Sequence, residues 1–323
     1  MPHTHISRDD RKTIAALLLG GRHNLTEIAA HVGKSPSAVS REVGSRTDPD
    51  GTYRAGSADG AARGLRAAAN GLRRKIVPGS EALRAVEDGL RKYWSPEQVV
   101  GRHRRERGAA LVSPATVYAY VWRDGRELIP FLRHARKRLH RRRHGTKQRE
   151  MRREESKKRR IDARPEVVEG RSRIGDWEGD TVVGQEKTEH VLTHVDRKSR
   201  FLAADRVRGT AESVLRATLR RFARYPRRKR LTGTYDNGVT FSAHEELEAR
   251  TGMEIFFAYP YHSWERGTNE NTNGLLRQFL PKGTFFAGVT QRKLDRFVRL
   301  INTRPRKCLD YRTPEEVFNC VSD

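Results

Sequence analysis

The sequence of 323 residues is poor in cysteine and contains no long apolar segment. Its two cysteines, Cys308 and Cys320, both lie near the C-terminus, so neither a disulfide framework nor a four-ligand zinc site is expected. No apolar run reaches the length of about 18 residues that a membrane-spanning helix needs, and the N-terminus lacks the apolar core of a signal peptide. We therefore expect a soluble, reduced, cytoplasmic protein without a membrane partner.

Acidic and apolar residues are both few relative to basic ones. The chain has 66 Lys and Arg residues against 40 Asp and Glu residues, a net charge of +26, and 35% hydrophobic residues. This surplus indicates a polyanionic partner, because each phosphate that a side chain neutralises releases condensed counterions. The alternative is a basic solubilising surface, as in some ribosome-associated proteins. The length allows two or three domains of ordinary size.

Residues 8–43 have the pattern of a small three-helix unit. The third helix is expected to begin after Ser35, an N-cap residue followed by Pro36 at the first helical position. A helix-turn-helix motif needs a small packing residue, a tight turn and a core aliphatic, and at those places the chain has Ala29, Gly33 and Val39. Side chains near the start of the second helix of such a motif contact base edges in the major groove. The outward-facing candidates for DNA contact are Ser37, Ser40 and Arg41; a three-helix bundle without DNA contact is the alternative.

A second unit repeats these signals. Ser95 and Gln98 form the pattern of a capping box, in which two side chains cover backbone N–H groups at the start of a helix. Ser113 is expected to cap the next helix, whose core side carries Val117 and Val121. Two helix-turn-helix units in series would read a longer DNA site than one. The candidates for contact with bases or phosphates, which could equally be packing residues, are Thr116 and Tyr120.

Residues 133–160 are dominated by basic side chains. The segment holds 15 Lys or Arg residues and three acids, a local charge of +12. With so few apolar side chains it cannot bury a core of its own, so it is either a solvated linker or an arm that contacts phosphates. The residues expected to bind DNA in this arm are Arg141, Arg142 and Arg143. The predicted domains are two helical units at residues 1–75 and 76–130, the basic arm at 131–163, and a catalytic domain at 164–323.

From about residue 164 the pattern changes to alternating strands and helices. The predicted strands are residues 177–183, 191–195, 201–207, 231–235 and 253–258. Three strands, then a helix, a strand, a helix, a strand and a helix, is the element order of the ribonuclease-H-like fold. The predicted fold class is therefore multidomain: all-α helix-turn-helix units at the N-terminus, followed by an α/β ribonuclease-H-like catalytic domain with a mixed five-stranded sheet flanked by helices.

Three acidic residues of this half stand in recognisable contexts. Asp180 follows Trp177 by three residues, Asp236 precedes Asn237-Gly238, and 33 residues separate Asp236 from Glu270. Carboxylates brought together from a strand, a strand end and a helix can hold two divalent metal ions about 3.5–4 Å apart, the geometry of phosphodiester chemistry. Mg²⁺ suits such a site, because it prefers oxygen ligands and keeps several waters.

Other polar residues compete for these roles. Glu178 alternates with Asp180 along the first strand, could point to the same face, and is the alternative to it. Asp196 falls in a hairpin turn, where an Asp commonly bonds its own backbone, so its expected role is structural. Asn273 and Arg277 lie one and two helical turns after Glu270 and share its helix face. We expect them to bind the DNA backbone near the bond that the metal site would cleave. The alternative is that they are ordinary polar residues on the surface of the helix.

The chain resembles bacterial insertion-sequence transposases of the DDE class, specifically the IS-thirty family, and more distantly the retroviral integrase core. The most specific stretches are YWSPEQ at 93–98, GDWEGD at 175–180, PYHSWERGTNENTN at 260–273, and NTRPRK at 302–307 with TPE at 313–315. The resemblance implies a ribonuclease-H-like fold and a metal-binding catalytic triad of Asp180, Asp236 and Glu270. It implies two Mg²⁺ ions per active site, for which Mn²⁺ is expected to substitute. One departure is Thr240, which stands where members of the family usually carry Glu.

The predicted function is transposition of a mobile element. The N-terminal units would bind its terminal inverted repeats, and the catalytic domain would cleave each 3′ end and join the 3′-hydroxyl to target DNA. Two ends must meet, so a homodimer or larger complex on double-stranded DNA is expected, associated with the bacterial nucleoid. The resemblance also suggests joined-end or circular intermediates.

Three alternatives are weaker. A DNA-binding regulator or an inactive transposase copy would not need the intact triad. A nuclease acting on RNA–DNA hybrids, which the fold alone would permit, would not need tandem DNA-reading units. A retroviral-type integrase would carry a His-His-Cys-Cys zinc module before its core, and this chain has none.

Overall fold

A computed structural model describes residues 5–72, 74–133, 158–259 and 263–320. The chain divides into two compact units, Met1–Val77 and Pro78–Asp323. The finer division into four domains stays a prediction. The phosphate-binding residues expected in the basic arm, Arg141, Arg142 and Arg143, lie outside the described residues.

The first unit is helical. Its helices are α1 (Arg8–Leu19), α2 (Leu25–His31), α3 (Pro36–Arg46) and α4 (Ala55–Leu72). The first three begin where a polar side chain accepts hydrogen bonds from the first turn, and those caps are Ser7, Asn24 and Ser35. Gly33 adopts the left-handed conformation, with φ of +63°, in the turn between α2 and α3. The predicted packing residues are confirmed, because Ala29 and Val39 are fully buried beside Ile14 and Ile28.

A buried ionic network joins three helices of this unit. Arg11 of α1 donates to Glu42 of α3 over 2.7 Å and to Asp59 of α4 over 3.1 Å. All three residues are buried. Glu42 also pairs with Arg46 over 2.6 Å and Asp59 with Arg63 over 3.1 Å, so each acid of the network has a second cation. The apolar pattern of the sequence did not indicate this network.

The second unit begins with α5 (Glu81–Arg91), α6 (Pro96–Arg107) and α7 (Pro114–Arg123). The capping box of Ser95 and Gln98 is present at the start of α6, and Gly108 ends that helix in the left-handed conformation. Ser113 caps α7, whose buried side carries the predicted core residues Val117 and Val121. None of the helices in the described ranges is long and apolar enough to cross a membrane.

A mixed five-stranded sheet forms the centre of the second unit. Its strands are β1 (Asp176–Val183), β2 (Glu189–Asp196), β3 (Leu202–Arg208), β4 (Thr232–Tyr235) and β5 (Glu254–Phe257). The spatial order is β3-β2-β1-β4-β5. The first three strands pair antiparallel, and β4 and β5 run parallel to β1. This strand order and pairing confirm the predicted ribonuclease-H-like fold.

Helices cover both faces of this sheet. They are α8 (Glu166–Glu169), α9 (Ala211–Phe222), α10 (His244–Thr251), α11 (Gly267–Leu276), α12 (Gln291–Asn302) and α13 (Pro314–Asn319). One apolar core contains Trp177 of β1 and Phe222 of α9, and the other contains Val191 of β2 and Leu276 of α11. Strand residues alternate between the two cores because successive side chains point to opposite faces.

The helices α5 to α7 belong to the same compact unit as the sheet. Gly101 of α6 lies so close to Tyr311 that a Cβ at position 101 would stand 2.1 Å from the tyrosine ring. Arg102 donates to both carboxylate oxygens of Glu316 in α13, over 2.7 and 2.6 Å. A bidentate pair of this kind fixes orientation as well as adding energy. The second helical region is therefore packed against the C-terminal segment of the sheet domain.

Candidate active site

Two of the three expected catalytic acids lie side by side at one edge of the sheet. Asp180 is in β1, and Asp236 directly follows β4. These strands are parallel neighbours, with Glu178 opposite Thr234, so the register continues from Asp180 to Asp236. Ligand sites of open α/β sheets form outside the carboxyl ends of such strands. The sheet thus brings the two carboxylates together.

One guanidinium group lies between these carboxylates. Nη1 of Arg266 is 3.4 Å from Oδ1 of Asp180, and Nη2 is 3.4 Å from Oδ2 of Asp236. Arg266 also donates to the Gly179 carbonyl over 3.0 Å, which holds it against β1. Burial raises the pKa of Asp180, the charge of Arg266 opposes that rise, and the charge of Asp236 adds to it. The positive charge of Arg266 therefore offsets part of the repulsion between the two carboxylates.

Asn273 fixes the orientation of one of these acids. Its Nδ2 donates to Oδ2 of Asp180 over 2.8 Å, and its Oδ1 accepts from Thr193 over 3.1 Å. The amide is thus used inside the site, and the expected contact of Asn273 with DNA stays a prediction. Arg277 donates to the carbonyl groups of Leu280 and Val183 over 3.4 Å each. Its contact with the DNA backbone also stays a prediction.

The third expected acid, Glu270, is exposed on α11 one turn before Asn273. In the parts of the chain that the structure describes, no three side chains of His, Cys, Asp or Glu converge closely enough to hold a metal ion. The structure therefore brings Asp180 and Asp236 together without Glu270. The catalytic and metal-binding roles of all three remain predictions.

The competing acids have structural partners. Glu178 is buried, pairs with Arg197 over 2.6 Å, and accepts a hydrogen bond from the backbone N–H of Asn269 over 2.8 Å. Its carboxylate is thus committed to packing α11 on β1, which leaves Asp180 as the accessible acid of this strand. Asp196 accepts from the N–H groups of Gly175 and Ser199, as expected for a structural turn residue.

The expected DNA-contacting residues of the helical units occupy different environments. Three of them, Ser37, Ser40 and Arg41, are exposed on α3. Thr116 is half-buried, and its hydroxyl lies 2.9 Å from that of Ser113. The ring of Tyr120 packs against Gly125. No contact with DNA follows from these positions, and all of these roles stay predictions.

The sequence analysis missed two aromatic residues on the outer face of α7. Tyr118 and Trp122 are 44% and 56% exposed. Their spacing of four residues places them on one side of the helix, next to the buried side that carries Val117 and Val121. That spacing was the signal that could have identified them.

Comparison with known proteins gives consistent matches. A family profile described as a helix-turn-helix domain matches residues 3–44. The chain is 35% identical to the transposase InsI for insertion sequence element IS30A of Escherichia coli (strain K12), over 97% of this chain and 83% of that protein. It is 36% identical to the transposase for insertion sequence element IS4351 of Bacteroides fragilis, over 98% of this chain and 96% of that protein.

A solved structure similar to part of the chain is the catalytic core domain of BIV integrase. The match covers 44% of this chain and 92% of that one, at 23% sequence identity and a TM-score of 0.36. With so low a TM-score, the fold of the second unit is assigned from its own strand order.

Proposed function

The chain belongs to the IS30 family of insertion-sequence transposases, and from that premise we propose that Asp180, Asp236 and Glu270 form its catalytic carboxylate set. The protein is a DNA transposase. In our proposal this set cleaves the 3′ ends of the element and transfers them to target DNA. The chemistry needs no covalent link between protein and DNA, since water and a DNA 3′-hydroxyl are the nucleophiles.

The observation that carries this proposal is the pairing of Asp180 and Asp236 across Arg266. Two carboxylates from neighbouring parallel strands each lie 3.4 Å from the same guanidinium. The nitrogen atoms of Arg266 occupy the position of a cation between two oxygen donors. Such a position fits a hard divalent cation, which binds carboxylate oxygens in preference to nitrogen or sulfur.

The metal that we propose for this position is Mg²⁺, with Mn²⁺ as a substitute and two ions per site. Asp180 and Asp236 would hold it, and Glu270 would supply a third carboxylate from α11. A bound divalent ion supplies activation of the attacking oxygen and stabilisation of the leaving oxygen. The protein itself orients one of these ligands, because the amide of Asn273 holds the carboxylate of Asp180.

DNA recognition is assigned to the helical units. A helix-turn-helix domain matches residues 3–44, and the protein binds DNA. We assign base contacts in the terminal inverted repeats to the exposed side chains of α3, Ser37, Ser40 and Arg41, and propose that α7 contributes a second contact. Because two element ends must meet for transfer, the active assembly in this proposal is a homodimer or a larger complex.

Strand cleavage and joining on labelled DNA with the element's own ends tests the proposal. We expect the wild-type protein to cut and join 3′ ends only when Mg²⁺ is present. Asp236→Asn should abolish both reactions and leave DNA binding unchanged, because it removes a metal ligand and no DNA contact. Asp310→Asn, which changes an exposed acid outside the site, serves as the matched control.

The competing function is a sequence-specific DNA-binding regulator, or an inactive copy of the enzyme. The exposed position of Glu270 outside the Asp180–Asp236 pair favours it. Tight binding without cleavage by the wild-type protein, under conditions where a related enzyme is active, would establish that alternative and reject ours.

A further inference from the structure

A basic pocket lies beside the start of α11 and shares no lining residue with the Asp180–Asp236 pair. Its volume is about 210 Å³. Its described lining, which we call the arginine pocket, consists of Arg171, Arg200, Gly267, Thr268, Asn271, Thr272, Arg306 and Cys308. This lining contains three arginines and no acidic residue. Such a composition favours an anionic ligand.

Arg306 is the deepest of these cations. The residue is 8% exposed, and within the described ranges it forms no ion pair. One hydrogen bond runs from its Nη2 to the Ile301 carbonyl over 3.3 Å, whereas its buried Nε has no partner there. Burial lowers the pKa of Arg306 to about 10, and the positive charges of Arg133 and Arg200 act in the same direction. The group is still charged at neutral pH, and a buried charge without a counter-charge is costly unless an anion pairs with it.

The other walls of the arginine pocket also suit an anion. Arg200 donates to the Thr268 hydroxyl over 2.7 Å, which places its guanidinium beside the first turn of α11. The Glu178 carboxylate accepts from one N–H of this turn, that of Asn269 on the sheet side. The other first N–H groups of a helix also have no partner within the helix, and its dipole attracts negative charge there. At Gly267, the first residue of α11, a Cβ would meet no atom within 4 Å, so this end of the helix is open.

The pocket also gives a role to the NTRPRK motif at residues 302–307. Asn302 pairs with the backbone of Leu202 through two hydrogen bonds of 2.8 Å, which anchors the motif to the start of β3, next to Arg200. Arg306 then extends the motif into the pocket. Of the two arginines of the motif, Arg304 donates to Gln278 and only Arg306 lines the pocket, so Arg306 is the one available for a ligand.

We propose that the arginine pocket binds a phosphate group of the DNA backbone. The inference rests on the proposed function, since it assigns a contact made by the DNA that the enzyme processes. Guanidinium groups match phosphate oxygens in geometry and can bind them through two parallel hydrogen bonds. The pocket borders the first turn of α11, the helix that carries Glu270. A free phosphate ion has the same chemistry, and the experiment separates the two sources.

A thiol footprint provides the readout. Cys308 lines the pocket, and Cys320 is a second exposed thiol outside it, so one protein contains both the probe and its internal control. The full-length Asp236→Asn protein is treated with a maleimide without divalent metal, so that no DNA is cut. The probes are a duplex carrying the element's terminal repeat and, separately, inorganic phosphate, both compared with chloride at equal ionic strength.

We expect the duplex to slow alkylation of Cys308 several-fold and to leave Cys320 unchanged. Arg200→Asn should remove this protection, and so should Arg171→Asn, which changes an exposed side chain. Asn is suitable because both positions have positive φ, 62° and 50°, which Asn tolerates. Loss of one phosphate contact should also make the salt dependence of DNA binding weaker: the slope of the logarithm of the association constant against the logarithm of the salt concentration should fall in magnitude by about 0.9. The control is Arg216→Gln, which removes an exposed arginine of α9 outside the pocket.

Protection by DNA that only the pocket variants lose supports the proposal, whether or not inorganic phosphate protects as well. If inorganic phosphate protects Cys308 and DNA does not, the DNA backbone is rejected as the source of the phosphate group that the pocket binds. No protection by either probe, or an equal loss in Arg216→Gln, overturns the pocket itself. Because the footprint needs no metal and no cleavage, its outcome is independent of whether the wild-type enzyme cuts DNA.

Discussion

His194 is a histidine used for packing. It lies in β2 with no exposed surface, and its ring meets the edges of Phe222 and Tyr235 at centroid distances of 5.0 and 5.9 Å. Neither ring nitrogen has a hydrogen-bond partner among the described residues. Burial lowers the pKa of His194 from 6.5 to about 4, and Asp205 opposes this shift only in part. The neutral imidazole therefore belongs to the core.

This burial predicts a loss of stability in acid. The folded-state pKa is below the unfolded value, so the contribution of His194 is complete above pH 6.5 and is lost as the pH falls towards 4. The loss amounts to about 3 kcal/mol at 1.36 kcal/mol per pKa unit. In His194→Leu, the free energy of unfolding should fall less over this pH range, as measured by urea denaturation. His31→Gln, at an exposed histidine, should follow the wild type; equal pH dependence in all three proteins contradicts the prediction.

In the proposed active site, Asn273 acts through Asp180. Its amide is the hydrogen-bond donor that orients this carboxylate over 2.8 Å. Asn273→Ala should lower the rate of strand cleavage by about 10–100-fold, the usual cost of losing a group that orients a metal ligand. The effect should appear as a raised Mg²⁺ requirement in titrations of cleavage, with DNA binding unchanged. Asn319→Ala, at an exposed asparagine of α13, is the control; a variant that binds DNA more weakly but cleaves normally would assign Asn273 to DNA contact instead.

At the scale of single elements, polar caps define where most of the helices begin. A Ser, Thr or Asn side chain accepts from the first turn at the start of α1, α2, α3, α5, α6, α7, α9, α12 and α13. Such caps satisfy N–H groups that have no partner within the helix. By contrast, Arg266, the N-cap residue of α11, makes no side-chain cap and instead contacts Asp180 and Asp236. The start of this helix at the candidate active site is thus held by tertiary contacts.

The capping box of α6 can be tested directly. In Ser95→Ala, the N–H of Gln98 loses its acceptor, so the free energy of unfolding of the second unit should fall by about 1 kcal/mol. Ser95→Asp should retain most of the stability, because Asp is also a favoured N-cap residue. Chemical denaturation measures both variants. Equal stability of Ser95→Ala and wild type would show that the box contributes nothing.

At the scale of the whole molecule, the second helical region and the sheet domain behave as parts of one unit. The contact of Gly101 with Tyr311 and the ion pair of Arg102 with Glu316 join residues that are more than two hundred positions apart in the chain. Both contacts lie inside Pro78–Asp323. Thermal unfolding should therefore show this unit melting as a single transition, separate from that of Met1–Val77.

Gly101→Ala is the variant that probes this packing. The added methyl group would overlap the Tyr311 ring, and such overpacking costs about 1–3 kcal/mol, so the melting temperature of the larger unit should fall. Gly64→Ala is the matched control, because it lies in α4 and its added Cβ would meet no neighbour within 4 Å. It should leave the larger unit unchanged. Separate melting of residues 78–133 and the sheet domain would favour the finer, four-domain division.

Local sequence patterns were sufficient to predict the five strands and their order along the chain, but they did not predict α4, α5 or α12. The predicted ends of the strands lie within about two residues of the observed ends. This agreement has a physical reason, because alternation along a strand and the turn-forming sequence Asp236-Asn237-Gly238 are local properties. Caps at Ser35, Ser95 and Ser113 located α3, α6 and α7 for the same reason. The excess of basic residues indicated a nucleic-acid partner without any structure.

The tertiary structure decided which charged groups meet. Glu178 and Asp180 look alike in the sequence, and only the packing of α11 against β1 gives the first a buried arginine partner and leaves the second beside Asp236. The same holds for Arg266 between the two aspartates and for Arg306 in the arginine pocket. Charge pairing depends on distances between residues far apart in the chain, and periodicity carries no information about those distances. The sequence alone thus determined the family, the strand order along the chain and the kind of partner, whereas the fold determined how the charges of the candidate site are arranged.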